Sequence, residues 1–284
     1  MNHQIHAKLL AKQVNVLLVG AGGTGSRVLE RLVCLHKAMR AKGHPRGLQV
    51  TVMDPDTVSP ANIGRQAFYP GDVGGFKSDV LVNRANMALE DALWQSNPVK
   101  LDTSAGLDRF DIVIGAVDNR SARLGILRGL ENALGGPRYW LDIGNRQHDG
   151  QAILGEVITR KRVTDEAQRL PHVGELYPEL IDPAFDDQED GPSCSLAEAL
   201  EKQSLLINPT MADFATNILW QLFTKGSIDT HGVFVNLDRM VVTPLRIDKE
   251  VWSRFGVKRD GRRHKVERPS VTARKGRQAK ATAA

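Results

Sequence analysis

The stretch "VNVLLVGAGGTGS", residues 14–26, decides how the chain is read. Val14 to Val19 form a nearly continuous apolar run that closes on Gly20. Such a run predicts a strand buried on both faces, as in a parallel sheet. Gly20, Gly22 and Gly25 then satisfy G-x-G-x-x-G, with Gly23 as an extra glycine. The next segment, "SRVLERLVCLHKAMRA" (26–41), has helical spacing at Val28, Leu29, Leu32, Val33 and Leu35 or His36. A glycine turn between a strand and a helix lets the backbone approach a phosphate at the helix N-terminus. Ser26 can cap that helix or meet a phosphate oxygen. A tight turn without a ligand is the other reading. Cys34, on or near the apolar stripe, reads as core.

Outward from this turn, strands and helices alternate. "LQVTVMD" (48–54), "PVKLDTS" (98–104), "FDIVIGAVD" (110–118) and "RYWLDIGN" (138–145) read as strands. Helical patterns cover 78–93 and 120–134. The alternation predicts an α/β fold with a Rossmann-like, mostly parallel sheet and flanking helices. After Asn145 the pattern changes. "GQAILGEVI" (150–158) reads as a further strand, and 160–193 as a long crossover segment rich in Pro, Asp and Glu. A helical stretch resumes at "SLAEALEKQSLLI". "PTMADFATNILWQLF" (209–223) places Met211, Phe214, Ala215, Ile218, Leu219, Leu222 and Phe223 on one face, as a core helix or a dimer contact. "GVFVNLDRMVVTPLRI" (232–247) reads as a C-terminal β-hairpin.

Composition excludes several classes. No apolar run reaches the roughly 18 residues needed to cross a bilayer, so no membrane span is expected. The start, "MNHQIHAKLLAKQ", lacks the features of a secretion signal. Two cysteines, Cys34 and Cys194, make neither a disulfide framework nor a four-cysteine zinc site. The expected compartment is therefore a reducing cytoplasm. Residues 257–284 hold ten Lys or Arg against Asp260 and Glu267, a net +8. Because the whole chain carries +5, residues 1–256 carry −3. The chain thus divides into one domain over 1–256 and a basic tail, expected to be disordered, over 257–284.

The second strand ends at Asp54, where a carboxylate accepts hydrogen bonds from ribose hydroxyls. The glycine turn and this acid together suit a nicotinamide-dependent oxidoreductase. Asn62, Arg65, Gln66 and Lys77 go beyond that need. The first three stand at i, i+3 and i+4, and on a helix they share a face. Arg65 offers a planar fork to phosphate oxygens, and Lys77 a movable point charge. Such a set suits a triphosphate whose pyrophosphate must leave. Asp118, at the end of a strand, suits a carboxylate that holds Mg2+ against those phosphates. More modest roles stand beside these. Asp118 and Asn119 also read as caps of the helix at 120, and Arg65 as a partner of Asp56 or Asp72.

"GAGGTGS", "MDPDTVSPANIGRQ", Lys77 within "DVGGFKSDV", and "GAVDNRSAR" together resemble the ThiF/MoeB/E1 superfamily. The likeness runs in order through about residues 14–125, and the later helix and hairpin resemble the family's more loosely. The pattern is most similar to the ThiF-related member of PRTRC cassettes. The resemblance implies ATP-dependent adenylation of the C-terminal carboxylate of a ubiquitin-like protein. It assigns Gly20, Gly22, Gly23 and Gly25 to the phosphates and Asp54 to the ribose. It assigns Asn62, Arg65, Gln66 and Lys77 to the triphosphate and Asp118, beside Asn119, to Mg2+. It also implies a homodimer and possible hand-over to an E2-like partner.

The chain departs from that pattern in two ways. It has no CxxC pair, so no structural zinc is expected. It has no arginine before Val14, where many members carry one that reaches a neighbour's site. Cys194 lies where some members carry an acceptor cysteine, just before a predicted helix that would favour thiolate. The nearby acids Asp186, Asp187, Glu189 and Asp190 oppose thiolate, and a small buried residue is the alternative. Three other functions compete: the same adenylation on RNA or a short peptide, an NAD(P)-dependent oxidoreductase, and an inactive nucleotide-binding adaptor. The tail reads either as a solubilising segment or as a weak, salt-sensitive nucleic-acid clamp. Retention on nucleic acid at low salt separates these: deleting 257–284 abolishes it for a clamp and leaves it unchanged for a solubilising tail.

Overall fold

A computed structural model describes residues 1–102, 107–135, 138–159, 169–186 and 204–257. In chain order the elements begin with β1 (His3–Gln4), α1 (Lys8–Ala11), β2 (Val14–Val19), α2 (Gly23–Ala41), β3 (Leu48–Met53) and α3 (Lys77–Ala88). Next come β4 (Gln95–Asn97), β5 (Ile112–Gly115), α4 (Arg120–Asn132), β6 (Arg138–Asn145) and β7 (Asp149–Val157). The chain continues through α5 (Val173–Leu176), α6 (Ile207–Lys225), β8 (Ser227–Ile228), β9 (Thr230–Asn236), β10 (Val241–Arg246) and α7 (Lys249–Arg254).

One eight-stranded sheet has the order β10-β9-β7-β6-β5-β2-β3-β4. The five strands from β6 to β4 pair in parallel. β7, β9 and β10 extend the sheet antiparallel. The fold is therefore the expected Rossmann-like α/β sheet with a C-terminal hairpin. β2 lies at its centre, hydrogen-bonded to both β3 and β5. Val14, Val16, Leu17 and Leu18 are fully buried there. This burial is the physical reason for the unbroken apolar run. The chain winds first toward β3 and then back past β2 to β5, which opens a crevice at the carboxyl ends of these strands.

Helix α6 packs along α2 and against β6, β7 and β9. Met211, Ala215, Ile218, Leu219, Leu222 and Phe223 are buried on it, so this face is core within the chain. Cys34 is exposed on α2, against the expectation of a core position. The inward stripe runs instead through Leu32, Leu35, His36 and Met39. β4 is shorter and earlier than the expected strand at 98–104. It pairs with Thr51–Met53 and stops before Pro98, which has no N–H to continue a ladder. Helix α3 ends at Ala88 rather than 93. There the Asn86 amide exchanges hydrogen bonds with the Trp94 backbone N–H and C=O, at 2.8 and 3.0 Å, and turns the chain. Of the helical stretch expected at 195–207, residues 195–203 lie outside the described residues, as does the tail from 258 onward; Ser204–Leu206 are not helical, and α6 starts only at Ile207.

The first residues pack onto their own chain. β1 pairs with β8, and Ile5 N donates to Gly226 O at 2.9 Å. His3 shares a 2.7 Å hydrogen bond with the Tyr139 hydroxyl, and His6 a 2.6 Å one with Glu156. β8 follows the C-terminal end of α6, whose 19 residues span about 28 Å. The segment before Val14 is therefore anchored one helix length away from the α6 N-terminus.

His231 on β9 is fully buried. Its Nδ1–H donates to Leu154 O at 2.7 Å, which leaves Nε2 to accept the Trp252 indole N–H at 3.1 Å. That tautomer follows from the partners. Burial lowers the imidazole pKa from its ordinary value to about 4. The folded pKa lies below the unfolded one, so the associated stability is complete above about pH 6.5 and is lost as pH falls toward about 4. The shift corresponds to roughly 3 kcal/mol. Urea unfolding across this window is expected to show a steep loss of stability, with a shallower slope in His231→Gln. An unchanged slope in the variant would rule out this source.

Candidate active site

A cavity of about 1070 Å³ opens at the carboxyl ends of β2, β3, β5 and β6. Gly20, Gly22 and Gly23 form one wall, and Asp54, Arg65, Gln66, Lys77, Asp118 and Asn119 line the same space. The structure thus gathers residues that lie up to a hundred positions apart.

The glycine turn is forced by contact. Gly20 has φ +91°, and a Cβ there would lie 2.5 Å from Ala116 O. A Cβ on Gly25 would lie only 1.9 Å from Gly20 O. Gly25 therefore sits beneath the turn rather than on the cavity wall, where it lets α2 approach β2 closely. Gly22, by contrast, has nothing within 4 Å of its missing side chain, so its backbone faces open space. Ser26 is also away from the cavity. Its hydroxyl donates to Gly23 O and accepts the Ala67 N–H, both at 3.1 Å. It ties the turn to the chain just after Gln66, a structural bond in place of the phosphate contact considered above.

Asp54 is 6% exposed. One carboxylate oxygen accepts the Ala21 N–H at 2.6 Å, and the other the Asp56 N–H at 2.8 Å. Burial pushes its pKa above the ordinary value, against the pull of these two amides and of Lys77. Each oxygen keeps a second lone pair for a ligand hydroxyl. Lys77 Nζ donates to Asp56 at 2.8 Å, and Asp72 pairs with Arg84 at the same distance. Neither acid is the partner of Arg65 that the sequence allowed. Arg65 is half-buried, and burial lowers its pKa. The Gln66 side-chain oxygen is buried and has no hydrogen-bond partner among the described residues.

Asn62, like Gly25 and Ser26, is a predicted site residue that does not line the cavity. Pro60–Asn62 makes only one 3-10 turn, so Asn62, Arg65 and Gln66 do not share a helix face. The Asn62 side-chain oxygen accepts the Ser59 N–H at 2.8 Å and caps that turn. Asn119 caps α4 by accepting the Ala122 N–H at 2.8 Å, and also donates to Asp118 at 3.1 Å. Asp118 caps nothing; its carboxylate is exposed to the cavity.

Several lining residues escaped the sequence reading. Lys100, Arg120, Arg123 and Arg146 add four cations, which makes six against Asp54, Asp56, Asp118 and Asp149. Arg120 and Arg123 stand inside the quoted "GAVDNRSAR", but a basic residue carries no local signal of which cavity it faces. Arg123, four residues past the Asn119 cap, binds the fully buried Asp142 at 3.0 Å. Asp186, from the crossover, also reaches α4. It accepts the Arg120 and Ser121 N–H groups at 2.7 and 3.1 Å and the Ser121 hydroxyl at 2.8 Å. These bonds hold it as an anion on the helix. Cys194 and the acids at 187–190 lie outside the described residues.

The N-termini of α2, α4 and α6 all reach the cavity through Gly23, Arg120 and Asn208. Each contributes the positive end of its dipole and suits an anion. The fit to a nucleotide triphosphate rests on this donor set and on the open space at Gly22. Among the described residues no three His, Cys, Asp or Glu side chains cluster as metal ligands. A Mg2+ ion would therefore rest on Asp118 and phosphate oxygens, a common arrangement for this cation. No helix among the described residues is long and apolar enough to cross a membrane.

Comparison with known proteins agrees with the fold. The ThiF family model matches residues 6–137. The fold is similar to the crystal structure of PaaA, with 13% identity and a TM-score of 0.52, over 82% of this chain and 64% of that one. It is also similar to E. coli MccB, with 15% identity and a TM-score of 0.52, over 82% and 62%. The structure of E. coli MccB with succinimide gives 16%, 0.50, 82% and 64%. The chain thus spans less than two thirds of the length of these structures. No curated protein matches it.

The two glycine contacts make a contrast that can be measured. Gly25→Ala, which clashes with backbone, is expected to cost about 1–3 kcal/mol or more in urea unfolding. Gly22→Ala, which points into open space, is expected to cost much less. Equal losses would contradict the packing described for the turn.

Proposed function

We propose that this chain, whose residues 6–137 belong to the ThiF family, is an ATP- and Mg2+-dependent E1-like adenylyltransferase. The observation that carries the reading is the shared cavity: Arg65, Gln66 and Lys77 face the same space as the glycine turn, Asp54 and Asp118. A dinucleotide site would use the turn and Asp54 but would leave the two cations and Asp118 without a common purpose.

The acceptor is a terminal carboxylate, for which the resemblance suggests a small ubiquitin-like protein. One carboxylate oxygen attacks the α-phosphorus of ATP. The new O–P bond forms as the bond to the β-phosphate bridge breaks, and pyrophosphate departs with the electron pair. No base is needed because the nucleophile is already anionic. The chain's work is orientation and charge. Asp54 takes the ribose hydroxyls, and backbone N–H groups of the turn take phosphate oxygens. Arg65 and Lys77 face the charge that grows on the pyrophosphate, where fixed donors act most strongly. Mg2+ held by Asp118 would supply further neutralisation of the phosphates.

Transfer of the acyl group to Cys194, and onward to an E2-like protein, is an extension of the same proposal, as is a homodimer. The buried face of α6 contributes to the core, so dimerisation would use other surface.

ATP–pyrophosphate exchange tests the reading directly, with candidate ubiquitin-like proteins as acceptors. Wild type is expected to exchange, and Asp118→Ala or Arg65→Ala to lose about 10²-fold or more in rate. No exchange with any acceptor, together with NAD(H) binding, would replace it with an oxidoreductase. Cys194→Ser is expected to keep exchange and lose any thioester; an intact thioester would remove Cys194 from the scheme.

A further inference from the structure

The glycine turn is braced from outside by a triangle of polar side chains. Thr24 lies in the first turn of α2, Asn145 ends β6, and Asn208 lies in the first turn of α6. The Thr24 hydroxyl donates to Asn208 Oδ1 at 2.8 Å. Asn145 Nδ2 donates to the Thr24 hydroxyl at 2.8 Å and to Asn208 Oδ1 at 3.0 Å. Asn208 is 1% exposed. All three residues line the cavity. The space that a Gly23 side chain would take is filled by the same amide. A Cβ there would lie 2.7 Å from Asn208 Nδ2 and 2.8 Å from its Cγ and Oδ1.

We propose that Asn208 is a positioning residue for the nucleotide, holding Gly22–Thr24 in the conformation that receives phosphate, with Asn145 as its brace. The proposal rests on the nucleotide reading of the cavity. Four of the seven residues from Gly20 to Ser26 are glycine. Glycine has more backbone freedom to lose on folding than any other residue, and the turn's phosphate-binding N–H groups are useful only when aligned. Asp54 fixes Ala21 and Ser26 holds the Gly23 carbonyl, but neither reaches the Thr24 side chain or fills the space beside the Gly23 Cα. Asn208 does so by hydrogen bond and by volume. Order imposed before the ligand arrives lowers the cost of binding it. Asn208 therefore acts on nucleotide affinity, with little effect on the chemical step. It also makes the phosphate turn sensitive to the start of α6.

The test combines amide hydrogen exchange on the unliganded full chain with calorimetric binding of α,β-methylene-ATP and Mg2+. Asn208→Ala is expected to speed exchange at residues 22–26 and to weaken binding about tenfold, roughly 1.4 kcal/mol. KM for ATP in pyrophosphate exchange rises similarly, with kcat within about twofold. Asn208→Asp keeps the volume and the Oδ1 acceptor, and is expected to retain protection of the turn. Gly23→Ala alone displaces Asn208 and weakens binding, yet adds little in the Asn208→Ala background. Wild-type protection and wild-type affinity in Asn208→Ala overturn the proposal, as do additive effects in the double variant. Absence of any binding by the wild type overturns it as well. Binding with this pattern but no pyrophosphate exchange removes the adenylation reading and leaves the positioning role standing.

Discussion

Asp54 accepts hydrogen bonds from the Ala21 and Asp56 amides, one on each carboxylate oxygen, and the site is organised around that pair of contacts. The first amide belongs to the glycine turn after β2, the second to the segment that leaves β3. The Asp54 carbonyl also accepts the Ser78 hydroxyl at 3.3 Å, which draws in the start of α3. A buried carboxylate is costly without such donors, and burial alone moves its proton affinity upward. Because the donors are main-chain groups, satisfying the charge fixes backbone. One side chain thereby sets the turn against the segment that carries Lys77.

Around this point the cavity is arranged for negative charge. Three helix N-termini reach it, and its cationic side chains outnumber its carboxylates. The acids are not spread evenly through it. Asp56 is paired with Lys77, and Asp54 is held by amides, whereas Asp118 faces open space. The cations are likewise partly engaged. Arg123 is paired with Asp142 at the floor, and Arg120 donates to the carbonyls of Glu179 and Phe185 in the crossover. The field at the site is thus smaller than a count of residues suggests, and it is directed.

Much of this was legible along the chain. The run Val14–Val19 announces a strand with no wet face, and the glycine spacing announces the turn that follows. Lys77 and Arg65 stand out because a simple dinucleotide site has no use for them. The errors have local causes. Cys34 was placed in the core because one helical stripe is about 100° wide, and a residue at its edge falls either way. The strand expected at 98–104 lies instead at Gln95–Asn97, where β3 offers Thr51–Met53 as partners and Pro98 ends the ladder. Asn62 was grouped with Arg65 and Gln66 by spacing alone, and that spacing means one face only if the helix continues past Asn62.

The sequence by itself determined the α/β class, the order of the central elements and the glycine turn, because these follow from period, polarity and steric permission over a few neighbouring residues. It also supplied the residue types a triphosphate would need. Only the tertiary structure decided which of them meet. Asn145 and Asn208 have no local signal at all, being ordinary polar residues at a strand end and a helix start. Their meeting with Thr24 depends on α6 returning across the sheet to set its first turn on a glycine turn nearly two hundred residues earlier. Hydrogen bonds of that span are fixed by the packing of whole elements, so they exist only once the core has placed both ends.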